Sequence, residues 1–126
     1  MSPLILYGNR LSGHSYKVRL ALVLAGIPHE YHHVPLHLPR AERPADFRAA
    51  SRWDEVPALR AGELNLVQSN AILSWLADEM GVLPGLPHER QLRQEWLAWE
   101  SNRIGFSLPN LRYSRCFEPA GDQTDA

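Results

Sequence analysis

Cysteine is nearly missing from this chain: Cys116 stands alone among 126 residues. One cysteine excludes an intrachain disulfide and any Cys-x-x-Cys redox pair, and it points to a reducing, cytoplasmic compartment. Long apolar runs are also lacking. None approaches the roughly 20 residues needed to cross a bilayer, so no membrane association is expected. Met1 leads straight into Leu4-Ile5-Leu6-Tyr7, without the charged start and extended apolar stretch of a signal peptide. Nor is there an excess of one charge. Thirteen Lys and Arg against fourteen Asp and Glu leave a formal charge of -1, which removes the electrostatic case for nucleic acid or an anionic membrane as partner. No Ser-His-Asp set, phosphate-cradling glycine loop, internal repeat or low-complexity segment is found. What remains is an ordinary globular composition, 44% hydrophobic and 21% charged, in a chain long enough for one domain with a core and too short for two typical ones.

Leu4 to Tyr7 is a continuous apolar run, the pattern of a strand covered on both faces. A polar turn over residues 8–13 follows, with Ser12 or Ser15 available to cap the next segment. Apolar residues at Val18, Ala21, Leu22, Leu24 and Ala25 predict a helix over residues 16–25, stopped by Gly26. Residues 27–36 read as a second strand, making a parallel βαβ unit. Proline-rich residues 35–44 are a loop, and residues 45–50 a short helix. Val56-Pro57-Ala58-Leu59 and Leu64-Asn65-Leu66-Val67 predict two strands joined by a hairpin turn at residues 61–63. Residues 68–80 are the clearest helix, with Ile72, Trp75, Leu76 and Met80 on one face and Gly81 at its end. The order is β-α-β, then β-β-α. It predicts an α/β domain over residues 1–82, a linker at 83–88, and a truncated all-α segment over 89–126. In that last segment Leu92, Trp96, Leu97 and Trp99 recur at helical spacing, Gly105 and Pro109 are expected to bend or break the helix, and the tail from Glu118 to be disordered.

Three places could carry chemistry. Ser12-Gly13-His14-Ser15 enters the first helix from the carboxyl end of the first strand, where parallel sheets bind ligands and a helix start favours an anion. There a serine hydroxyl either caps the helix or donates a hydrogen bond to a bound thiolate. Val56-Pro57 precedes a strand, as a trans turn or as a cis peptide that turns the backbone of Val56 toward an extended ligand. Gln68-Ser69 opens the last helix of the domain, with Ser69 placed to cap it or to receive a ligand carboxylate at the helix N-terminus. His32, His33 and His37 invite a metal, but neighbours on a strand point to opposite faces and no cysteine or carboxylate cluster joins them, so no metal is expected. Trp75, Trp96 and Trp99 are read as core, and Cys116 as exposed and without a partner that would mark a nucleophile.

Together the order and spacing of these motifs resemble the N-terminal, thioredoxin-like domain of soluble glutathione S-transferases, from about Leu4 to Gly81. The resemblance rests on Leu-Tyr-Gly, then Ser12 to Arg19, then Val56-Pro57-Ala58-Leu59, then Gln68 to Ala77. Residues around Glu95-Trp96-Leu97 are similar to the family's entry into its helical domain. It implies a mixed four-stranded sheet, glutathione as co-substrate, a small electrophilic molecule as second substrate, and a homodimer. By position, Ser12 matches the thiolate-activating serine of the zeta and tau classes, while Tyr7 fits the tyrosine of other classes less well. Val56, before a cis Pro57, would pair with the cysteinyl part of glutathione, and Gln68 and Ser69 would hold its γ-glutamyl end. Arg40 or Arg52 would meet the glycine carboxylate. Ser51-Arg52-Trp53-Asp54 departs from the Asn-Pro-x-Gly common before Val-Pro, and the Asp54-Glu55 pair favours an alternative: a glutathione S-transferase-like interaction module without catalysis.

Overall fold

Alternation across the first strand sets the layers of the molecule. In β1 (Leu4–Gly8), Leu4 and Leu6 face one way and Tyr7 the other, and all three are buried. The structure is a computed structural model that describes residues 3–83 and 85–117. The tail from Glu118, expected to be disordered, lies outside the described residues. The chain divides into two compact units, Met1–Leu86 and Pro87–Ala126.

In the first unit β1 is followed by α1 (Gly13–Leu24), β2 (His29–His33), a 3-10 turn (Arg40–Glu42), α2 (Ala45–Ala50), β3 (Ala58–Ala61), β4 (Leu64–Val67) and α3 (Ser69–Met80). The sheet order is β2-β1-β3-β4. β2 runs parallel to β1, with Leu6 beside Tyr31, whereas β3 and β4 run antiparallel. This is the thioredoxin-like α/β arrangement with a mixed four-stranded sheet. α1 buries Val18 and Leu22, and α3 buries Ile72, Leu73, Leu76 and Ala77. On the Tyr7 face, Phe47 and Ala50 of α2 pack with Tyr7, Val34, Ala58 and Val67.

Two glycines suit the places where they stand. A Cβ on Gly8 would come within 3.1 Å of both Ser15 and Tyr31, so those side chains would have to shift by a few tenths of an ångström to admit one. Gly81 closes α3 in the left-handed region, at φ 68°.

Several boundaries differ from expectation. α1 starts at Gly13, three residues before the apolar periodicity does, because Ser12 caps it. β2 is confined to residues 29–33, since the register with β1 ends at Gly8 opposite His33. β3 begins at Ala58 rather than Val56, as Pro57 has no N–H to offer a ladder. Gly62 and Glu63 alone form the hairpin turn.

The second unit contains α4 (Pro87–Cys116), opened by a proline at its first position. Gly105 and Pro109, expected to bend or break this helix, lie inside it. Proline removes one backbone bond and crowds the carbonyl four residues back, here that of the pliant Gly105. In the same turns the Ser107 hydroxyl donates to the Arg103 carbonyl, and Asn110 Nδ2 donates to the Phe106 carbonyl at 2.6 Å. Trp96 and Trp99 do not belong to a core. They are exposed and meet edge to face at 5.6 Å, and no described residue of α4 is buried. Trp75 is half-buried on α3.

Candidate functional site

Sheet direction gathers the three candidate places at one edge. β1 and β2 both end there, and the antiparallel register sets Ala58, at the start of β3, opposite Tyr7 of β1 and Val67 of β4. The Ser12 turn leaves the end of β1, Val56-Pro57 precedes the start of β3, and Gln68-Ser69 leaves the end of β4. Places far apart in the chain, Ser12 and Ser69 among them, thus converge at one end of the sheet. The Val56–Pro57 peptide bond is cis.

Ser12 is the N-cap of α1: its half-buried hydroxyl accepts from the Ser15 N–H at 3.1 Å. That role uses a lone pair and leaves the hydroxyl proton for another acceptor. Ser15, the other expected cap, instead lies within the helix, buried, and accepts from the Asn9 N–H at 3.3 Å. Asn9 is a bracing residue of this turn that sequence reading missed. Its Nδ2 donates to the Val34 carbonyl at 2.9 Å and its Oδ1 accepts from the Leu11 N–H at 2.9 Å. This amide ties the Ser12 turn to the end of β2. The asparagine in a polar turn was the visible signal, but its partner 25 residues away was not.

At the start of α3 the roles expected of two residues are exchanged. Gln68, not Ser69, is the N-cap, at φ 70° and ψ 116°, and it makes no side-chain capping bond. Left-handed φ in a residue with a Cβ is costly and clusters at ligand sites. Ser69 is the first helical residue and is buried. Its Oγ lies 3.5 Å from Nδ1 of half-buried His14 on α1, a contact that joins two of the three candidate places.

The two arginines are engaged elsewhere. Arg40 donates to the Trp53 carbonyl at 2.9 Å, and the Arg52 guanidinium lies 4.6 Å from the centre of the Trp53 ring. Arg43, which sequence reading did not single out, donates to the carbonyls of Leu36, Leu38 and Asp54 at 3.2, 3.3 and 2.6 Å. It shapes the connection that leads to Val56.

Tyr7 points away from the Ser12 turn into the α2 face, 5.9 Å from the Phe47 ring and edge-on to His32 at 5.3 Å. Burial pushes its hydroxyl above the usual phenol value, Arg60 opposes the rise, and the Asp46 and Glu30 carboxylates add to it. His32 lies between Glu30, at 3.0 Å, and Asp46, at 3.5 Å, while His33 and His37 are exposed. Among the described residues, no three His, Cys, Asp or Glu gather as metal ligands, and no helix is long and apolar enough to cross a membrane. Cys116 is exposed, as expected.

Comparison with known proteins agrees with this geometry. Residues 11–79, more than half of the chain, match the family described as glutathione S-transferase, N-terminal domain. A maleylpyruvate isomerase of a Ralstonia species is 39% identical over 90 residues, covering 71% of this chain and 42% of that protein. A mouse maleylacetoacetate isomerase is 34% identical over 92 residues, with the same coverage of 71% and 42%. The chain therefore spans less than half the length of these relatives. The crystal structure of a theta class glutathione S-transferase from Xanthomonas axonopodis pv. citri, with glutathione bound, superposes with a TM-score of 0.80 at 25% identity. That likeness covers 98% of this chain and 60% of that one. With its sheet order, its cis peptide before β3 and this match over most of the first unit, the chain belongs to the glutathione S-transferase superfamily and carries the family's N-terminal domain.

Proposed function

We propose that this chain is the glutathione-binding half of a glutathione S-transferase, in which Ser12 holds the sulfur of glutathione as a thiolate for attack on a small electrophile. The observation that carries the reading is the convergence of Ser12, Val56-Pro57 and Gln68-Ser69 on one sheet edge in a chain of this family. Capping and catalysis are compatible at Ser12. Its oxygen accepts from the Ser15 N–H, so its proton is available to the sulfur, and the start of α1 favours the anion. The glutathione thiol gives its proton to solvent, and the thiolate then forms a bond to the electrophilic carbon. Addition, displacement and isomerisation all begin with that bond; two relatives named as isomerases favour the last. Val56 pairs through its backbone with the cysteinyl part, and Gln68 and Ser69 hold the γ-glutamyl end. Arg40 or Arg52 meets the glycine carboxylate, which requires Arg40 to leave the Trp53 carbonyl or Arg52 to leave the Trp53 ring. The protein is cytoplasmic and acts as a homodimer.

Calorimetric titration with glutathione tests this reading. Saturable binding is expected, weakened in Ser69→Ala. In Ser12→Ala binding should persist while the ultraviolet absorbance of bound thiolate disappears; thiolate retained in that variant would remove Ser12 from the role. A well-folded chain that ignored glutathione would instead support an interaction module, the reading favoured by the acidic Asp54-Glu55 pair directly before Val56.

A further inference from the structure

We propose that His14 is a positioning residue of the glutathione site: with a proton on Nδ1, it directs the hydroxyl of Ser69 toward the ligand carboxylate. The inference rests on the proposed glutathione reading and adds a residue to it.

The argument starts from the single proton of a serine hydroxyl. Ser69 is buried at the start of α3, and its Oγ lies 3.5 Å from Nδ1 of His14. This is the outer limit of a hydrogen bond. Two arrangements are possible. If Nδ1 is unprotonated it accepts the Ser69 proton, and the serine then turns only lone pairs toward a ligand. Lone pairs repel a carboxylate, so that state opposes binding. If Nδ1 carries hydrogen it donates to Oγ, and the Ser69 proton is released to the ligand. Only the second state serves an anion.

The supporting frame is rigid on both sides. α1 is anchored through Val18 and Leu22, both fully buried, and α3 through Ile72 and Leu76. The cap at Ser12 fixes the turn from which His14 projects. His14 thus bridges the two helix starts that the proposed ligand spans, one facing its sulfur and the other its γ-glutamyl carboxylate. The choice between the two arrangements is made at Nδ1, because the Ser69 hydroxyl can donate to that nitrogen or accept from it.

Two measurements on the whole chain decide the matter. Nitrogen NMR of His14 without ligand should report the Nδ1–H tautomer, with the preference lost in Ser69→Ala. The Nε2–H form in the wild type would overturn the inference whatever glutathione does. Glutathione titration should then show binding weakened roughly five- to tenfold in His14→Ala, the equivalent of one hydrogen bond. His14→Asn, whose amide N–H can take the place of Nδ1–H, should restore most of it. The double variant with Ser69→Ala should bind no more weakly than Ser69→Ala alone, because His14 acts through that serine. Losses that simply add, or no rescue by asparagine, would overturn the role. Absence of binding by the wild type would overturn the glutathione reading, an outcome that the tautomer separates from failure of the inference.

Discussion

The two helix starts at the ligand edge are built on opposite plans. The start of α1 is closed by its own side chains: Ser12 caps it, Asn9 braces the turn, and buried Ser15 holds the Asn9 N–H. The start of α3 has a cap residue, Gln68, that makes no side-chain capping bond and sits at positive φ. A closed start gives precision to one hydroxyl, and a start without such a cap suits an anion that arrives from outside. The difference teaches that stability and binding are separable here, helix by helix.

The comparison can be broken most strongly at Asn9. Asn9→Ala removes two bonds from a buried amide and leaves the Val34 carbonyl without that partner, so a loss of about 2 to 3 kcal/mol is expected in chemical denaturation. Ser12→Ala should cost about 1 kcal/mol, the worth of an N-cap, measured in the same way. Gln68→Gly sharpens the contrast by moving in the opposite direction. Glycine adopts φ 70° with less strain than a residue carrying a Cβ, so stability should hold or rise by about 0.5 to 1 kcal/mol, while glutathione binding weakens. Both quantities falling together would refute the idea that Gln68 carries strain in the service of binding. The smallest effect belongs to Tyr7, remote from both starts. Its hydroxyl is held above the ordinary value of 10.0 chiefly by burial. The protonated form is therefore favoured by the fold, its contribution is complete below that ordinary value, and it is lost as pH climbs through the higher folded one. Tyr7→Phe should accordingly shift alkaline unfolding slightly upward, as followed by circular dichroism against pH.

The layout of the first unit was legible because its signals are local. The apolar run at Leu4, the helical spacing through Leu22, the hairpin and Gly81 each declare an element within a few residues. Ser12, Val56-Pro57 and Gln68-Ser69 were legible as candidates for the same reason. What escaped depends on partners far along the chain. Asn9 acquires its role from Val34, His14 from Ser69, and Arg43 from three carbonyls in a connection that reads only as proline-rich. Ser69 was expected to cap α3, but the chain turns one residue earlier, at Gln68. Pro109 does not break α4, since a proline inside a helix removes one backbone bond and the rest of the ladder continues on both sides. The tryptophans of α4 misled because helical spacing reveals a face without revealing what covers it.

The connection between β2 and β3 carries four arginines that a trypsin-like protease would seek: Arg40, Arg43, Arg48 and Arg52. Each is folded back onto its own segment, Arg40 on the Trp53 carbonyl, Arg43 on three others, Arg48 on that of Ala41, and Arg52 on the Trp53 ring. Cleavage requires the side chain to leave such a partner and enter the protease while the backbone straightens, and Pro44 additionally blocks the bond after Arg43. A stretch that looks in sequence like a run of cutting sites is in the folded protein a self-laced strap, and trypsin should cut it more slowly than its arginines suggest.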